Sequence, residues 1–266
     1  MKKLILLAIL ALTLVAFAAC SGDDDSDRTT LVMGTSAGFF PFEFIADYGE
    51  GVIGQYAGID LSLVARIAEE LDVDITVLDM DFGGLIPALE GGSIDFIAAA
   101  MTIRPDRAET VNFTVPYFNA GQSILVLQGS PITSMADLDG LIVGAQLATT
   151  GEMAITDAQN EGRANFQNIA TYTLAVPGVQ DLLSGSIDAF VVDAPVARGF
   201  VANHPDRLVA FADPDFFGPE QFGMAFNKND TELLAQFNEV LTRLIQEGFV
   251  DYLYEHYTTH FAHMAE

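Results

Sequence analysis

Ile94-Asp95-Phe96-Ile97-Ala98-Ala99 (residues 94–99) is a short apolar run interrupted by one acid. It follows Leu85-Ile86-Pro87-Ala88-Leu89, which opens a short helix that stops at Gly91-Gly92. A helix that ends on glycines and feeds a buried strand is a unit of an α/β sheet. The same alternation extends outward in both directions. Upstream, Leu31-Val32-Met33-Gly34 and Asp74-Ile75-Thr76-Val77-Leu78 read as strands. Between them, Asp60 is read as the cap of a helix in which Leu61, Val64, Ala68 and Leu71 share a face. Downstream, Leu141 to Ala145 and Ile187 to Asp193 are strands, and a helix from Val176 to Leu183 stops near Gly185. Thr149 and Glu152, three residues apart, fit a capping box for another helix. Pro195 suits the first turn of the helix that follows Asp193. Leu233, Phe237, Val240, Leu241, Leu244 and Ile245 form a final helical stripe ended by Gly248. Strands separated by helices predict α/β sheets with parallel pairs.

The chain has 266 residues, half of them hydrophobic, enough for one large core or two small ones. Acids outnumber bases 37 to 11, which argues against a nucleic-acid or anionic-membrane surface on the folded part. Lysine occurs only at positions 2, 3 and 228. Such acidity gives a self-repelling surface, and it suits a high-salt habitat in which those charges are screened. With Cys20 as the one cysteine, an internal disulfide or a cysteine-rich zinc site is excluded. His256, His260 and His263 are read as a solvated chain end rather than a metal site, and no metal or cofactor is expected.

Residues 1–19 have a leader's layout: Lys2 and Lys3, an apolar stretch from Leu4 to Phe17, then Ala18 and Ala19 before Cys20. The stretch is shorter than the roughly 20 apolar residues of a membrane span. It resembles a bacterial lipoprotein signal, with Phe17 in place of the usual leucine. The resemblance implies a lipid on Cys20, a membrane attachment through it, and a polar tether over residues 20–29.

Four segments stand in order along the body: Pro41-Phe42-Glu43-Phe44; Gly58-Ile59-Asp60; Leu85 to Leu89 through Met101-Thr102-Ile103-Arg104-Pro105-Asp106-Arg107; and Val111-Asn112-Phe113-Thr114-Val115-Pro116-Tyr117. Together they resemble the amino-acid-binding family of bacterial extracellular solute-binding proteins, family 3, the capture subunits of ABC importers. The resemblance implies a two-lobed, periplasmic-binding-protein-like α/β fold of type II with a two-segment hinge. The lobes are expected at 30–117 and 118–222, with 223–266 returning to the first. Crossovers are expected near Pro116 to Ala120 and Gly218 to Gly223.

Carried over by position, the resemblance assigns Arg107 to a ligand carboxylate, aided by Thr102. A planar guanidinium can donate two parallel hydrogen bonds to such a group, which lysine cannot. Ala100 and Met101, just before Thr102 in the same segment, are also expected in the site, with the Ala100 carbonyl meeting the ligand's ammonium. Thr149 and Thr150 match the start of a second-lobe helix, whose free N–H groups suit an anion. Asp193, at the end of a strand, matches the acid that takes the ammonium, and Phe39 and Phe82 match an aromatic sandwich. For the side chain the readings are Ser36, where relatives with basic or amide ligands carry an aspartate, and Gln146. That pair predicts a neutral ligand, polar or modestly apolar. The expected partners are a free amino acid and the permease subunits of an ABC importer, the protein itself acting as a monomer. A dehydratase acting on prephenate or arogenate is the rival on this fold; it needs a proton donor where Asp193 would accept an ammonium.

Overall fold

The computed structural model describes residues 28–46 and 49–261. The leader, Cys20, nearly all of the tether and His263 lie outside the described residues. In chain order the elements are β1 (Thr30–Thr35), β2 (Phe44–Ile45), β3 (Tyr56–Ala57), α1 (Ile59–Leu71), β4 (Asp74–Asp79), α2 (Leu85–Glu90), β5 (Phe96–Ile97), α3 (Pro105–Thr110), β6 (Val111–Phe113) and β7 (Phe118–Ala120). There follow β8 (Gln122–Leu127), β9 (Ile142–Gln146), α4 (Thr150–Asn160), β10 (Asn168–Tyr172), α5 (Ala175–Ser184), β11 (Ala189–Asp193) and α6 (Ala194–Asn203). The last are β12 (Leu208–Phe211), β13 (Glu220–Phe222), β14 (Ala225–Asn227), α7 (Thr231–Gln246) and α8 (Phe249–His260).

Two five-stranded sheets organise two lobes. The first has the order β4-β1-β5-β14-β6, the second β10-β9-β11-β8-β12. In the first, β1 runs parallel to β4 and β5, and β14 is antiparallel to β5 and β6. In the second, β9 is parallel to β10 and β11, while β8 is antiparallel to β11 and β12. The chain crosses between lobes twice, and the crossings pair with each other: β7 and β13 form an antiparallel ribbon matching Phe118 with Phe222 and Ala120 with Glu220. Two strands pinned side by side restrict the lobes to bending about one line. The parallel strands of both sheets end at the cleft, where α/β sheets place their ligand sites.

Two local expectations change. Asp60 does not cap α1: it lies inside the helix's first turn and is fully buried. The cap position is Gly58, at φ 127°, and the first amides are satisfied by main chain, Ile59 N by Pro41 O and Asp60 N by Phe42 O at 3.0 Å each. A Cβ on Gly58 would stand 2.1 Å from Phe42 O, so this close approach requires glycine. The chain after Gly248 is not a solvated end but the twelve-residue helix α8. Its Val250, Leu253 and Tyr257 are buried, and Tyr257 Oη lies 2.7 Å from Ser62 Oγ on α1. His256 and His260 stack along this helix with ring centroids 5.0 Å apart. No described helix is long and apolar enough to cross a membrane.

Candidate functional site

The cleft between the lobes holds a cavity. Ser36, Phe39, Phe82, Ala100, Thr102 and Arg107 line it from the first lobe, and Gln146, Thr149, Thr150 and Asp193 from the second. These are all the site residues expected from sequence except Met101. In the segment after β5, where Ala100 takes a left-handed φ of 46°, Ala100 and Thr102 line the cavity and Met101 between them does not. It packs into the core with Leu85, Ile97 and Val111. Ala99 and Glu43 also line the cavity, and the sequence reading did not name them as site residues.

Arg107 sits on α3, a helix started by Pro105. It is buried, and its two terminal nitrogens bridge the lobes: Nη1 donates to Thr102 O at 2.9 Å and Nη2 to Ala148 O at 3.0 Å. Its guanidinium lies over the Phe82 ring at 5.3 Å. Burial, then repulsion by Arg104, lowers its pKa to about 10, so it stays charged at neutral pH. Thr149 caps α4 by accepting from Glu152 N at 3.3 Å. The expected box is half formed, because the Glu152 carboxylate accepts from Thr156 Oγ1 at 2.9 Å and Thr149 N points to Gln146 O.

Asp193 ends β11, and Pro195 follows in the first turn of α6. Its side chain makes no capping bond to that helix. Burial, then the charge of Glu220, pushes its pKa up to about 8. Glu43 is brought in by a tight return of the chain: Gly38 N and Phe39 N both donate to Glu43 O, at 3.0 and 2.8 Å. Phe39 and Glu43 therefore stand side by side. Burial, then Asp60, Asp193 and Asp79, drives the Glu43 carboxyl well above its usual range. Behind it, Asp60 Oδ2 accepts from Ala100 N at 2.8 Å, and Tyr117 Oη lies 2.7 and 2.8 Å from the two Asp60 oxygens. Burial raises Asp60 to about 7 against the lowering effect of these bonds.

Four buried oxygens lining the cavity have no hydrogen-bond partner within the protein: Ser36 Oγ, Glu43 Oε2, Gln146 Oε1 and Asp193 Oδ1. Buried polar atoms are rarely left so. With Arg107 and the α4 N-terminus opposite, the cavity has an anion-seeking end, cation-seeking walls and two aromatic faces. That set complements a small molecule bearing a carboxylate and more than one donor group. Glu43 was within reach of sequence reasoning, since it stands in the Pro41-Phe42-Glu43-Phe44 segment two residues beyond the turn after Phe39.

A family model for bacterial extracellular solute-binding proteins, family 3, matches residues 31–260. The "Probable histidine-binding protein" of Campylobacter jejuni is 31% identical over 270 residues, an alignment covering 97% of this chain and 99% of that protein. The arginine-binding extracellular protein ArtP of Bacillus subtilis is 30% identical over 262 residues, covering 95% and 96%. Among solved structures, an ancestral arginine-binding protein bound to arginine superposes with a TM-score of 0.77 at 36% identity, covering 86% of this chain and 97% of that one. The two-lobed fold expected from sequence is the one these relatives share.

Proposed function

The chain belongs to the bacterial extracellular solute-binding proteins, family 3, and we propose that it captures a free amino acid with a cationic side chain and hands it to an ABC-type importer. In this reading Arg107 and the first amides of α4 hold the ligand's carboxylate. Asp193 takes its ammonium, with the Ala100 carbonyl beside it. Phe39 and Phe82 flank the side chain, and Glu43 meets its positive head, with Ser36 and Gln146 as further polar contacts. The observation that carries this is the pair of buried, unpartnered carboxylate oxygens on Glu43 and Asp193 in the cavity that holds Arg107. Two carboxylates facing one guanidinium suit a ligand with two positive groups and one negative.

The neutral ligand expected from sequence rested on Ser36 and Gln146, and the names of the relatives do not support it. Glu43, seven residues further along the chain, supplies the carboxylate that Ser36 lacks. A chain of formal charge −26 also draws cations towards its cleft. The dehydratase alternative is not favoured, since the family is one of solute-binding proteins. Export under residues 1–19 and lipid attachment at Cys20 belong to the same proposal, supported by the charged, apolar and small-residue layout of that segment.

The test is a thermal-shift panel of the twenty amino acids on protein beginning at Ser21. A ligand at 100 times its Kd stabilises by about 2.7 kcal/mol. Arginine, lysine or histidine is expected to give the largest shift. Glu43→Gln should weaken that ligand by about tenfold to a hundredfold, the scale of a lost hydrogen bond to a charged group. A panel led by neutral amino acids, together with unaltered binding by Glu43→Gln, would refute the cationic reading.

A further inference from the structure

Glu220 belongs to neither large sheet. It lies on β13, one of the two crossing strands, opposite Ala120. One of its oxygens, Oε2, accepts from Thr102 Oγ1 at 3.0 Å, from Thr150 Oγ1 at 2.9 Å and from Gln122 Nε2 at 3.2 Å. Thr102 belongs to the first lobe, and Thr150 and Gln122 to the second. A carboxylate beside the pivot thus gathers donors from both sides of the cleft. Gln122 Nε2 also reaches Thr150 Oγ1 at 3.0 Å, which ties the group more closely.

Proton counting sharpens this. A hydroxyl carries one proton. With both threonine protons directed at Glu220, neither hydroxyl can at the same moment donate to a ligand carboxylate. That carboxylate is then left to Arg107 and the amides of α4, and the threonine hydroxyls do other work. Thr102 and Thr150 line both the ligand cavity and an open groove, whose other walls include Arg104, Gly218, Pro219 and Glu220. The Glu220 cluster therefore closes the back of the site. Its charge also reaches both clamps, favouring the charged form of Arg107 and opposing ionisation of Asp193.

We propose that Glu220 is a positioning residue that latches the two lobes, holding Thr102 and Thr150 together across the cleft so that the ligand-free protein stays partly closed and bound ligand leaves slowly. Its ligand readout rests on the amino-acid-capture reading; its closure readout does not.

The experiment compares the parent with Glu220→Ala and Glu220→Gln. Small-angle scattering without ligand measures lobe separation, and stopped-flow mixing measures release of arginine. Glu220→Ala is expected to enlarge the ligand-free radius of gyration and speed release about tenfold, with association little changed. Glu220→Gln keeps an acceptor oxygen without the charge, so it should fall between the two, and it serves if the alanine variant does not fold. Thr150→Val should add little once Glu220 is alanine. Unchanged compactness and release in both variants would overturn the latch. So would slower release from Glu220→Ala, which would make Glu220 a competitor for the anion site. If the parent binds none of arginine, lysine and histidine, the capture reading fails while the ligand-free scattering still decides the latch.

Discussion

The ligand-free protein should lose stability as pH rises from about 4 to about 8, and Asp60 should account for much of the loss. Asp60 is fully buried, and its carboxyl is raised from 3.8 to about 7. A raised carboxyl binds a proton in the folded state where the unfolded chain has already released it. Its stabilising contribution is complete below the unfolded pKa and is lost as pH climbs to the folded one. From 3.8 to about 7, at about 1.4 kcal/mol per pH unit, the change is roughly 4 kcal/mol for this residue. That is a large part of the 5–15 kcal/mol by which a domain is typically stable. Asp193, raised to about 8, and Glu43 act in the same direction. Asp106 and Asp137 have lowered values and act oppositely, but both are solvated, so they weigh little. Urea unfolding across this window in molar salt isolates the effect, because a Debye length of about 3 Å screens the acidic surface and leaves the buried groups. Asp60→Asn keeps an acceptor for Ala100 N without ionising, so its profile should be flatter by roughly the 4 kcal/mol derived above. A parent profile that is level or rises with pH, or an Asp60→Asn profile as steep as the parent's, would refute the reasoning.

Two substitutions probe other parts of the molecule. Arg107→Lys keeps the charge but loses the planar fork, both bonds to Thr102 O and Ala148 O and the stacking on Phe82, so calorimetry should find ligand affinity down about a hundredfold, or about 2.7 kcal/mol; affinity within a few-fold of the parent would remove Arg107 from the carboxylate grip. Gly178→Ala places a Cβ 2.2 Å from Cε2 of the fully buried Phe190, and chemical unfolding should show a loss of about 1–3 kcal/mol from overpacking.

The sequence was most readable where structure is local. Strands bounded by glycines, the Thr149 cap and the glycine stops follow from neighbours within a few residues, and they emerged near their expected places. Arg107 and Asp193 were readable only through the family resemblance, because local pattern alone makes the one a surface arginine beside Asp106 and the other a helix cap. Asp60 was misjudged for a physical reason: its position matched a cap, but main-chain carbonyls of Pro41 and Phe42 serve the first amides of α1. That frees its carboxylate to turn inward to Ala100 N, forty residues away. Helix α8 went unread because Phe249-Val250-Asp251-Tyr252-Leu253-Tyr254 is rich in aromatic residues of modest helix propensity, and its support is packing against α1 rather than local preference.

The same distinction explains why the ligand's side-chain partner was harder to infer than its charged ends. Ser36 attracted the inference because relatives with basic or amide ligands carry an aspartate at its position, a comparison made one position at a time. Glu43 reaches the cavity only because the loop folds back so that Gly38 N and Phe39 N share its carbonyl. Glu220 is more remote still, lying 118, 98 and 70 residues from Thr102, Gln122 and Thr150. Such a contact leaves no periodicity in the chain and exists only once both crossings are paired. A substitution at Glu220 should therefore change lobe closure while leaving each lobe's sheet intact, whereas a substitution at Gly178 strains one lobe's core directly. Residues that build a lobe are legible through local pattern; residues that set how two lobes meet become legible only in three dimensions.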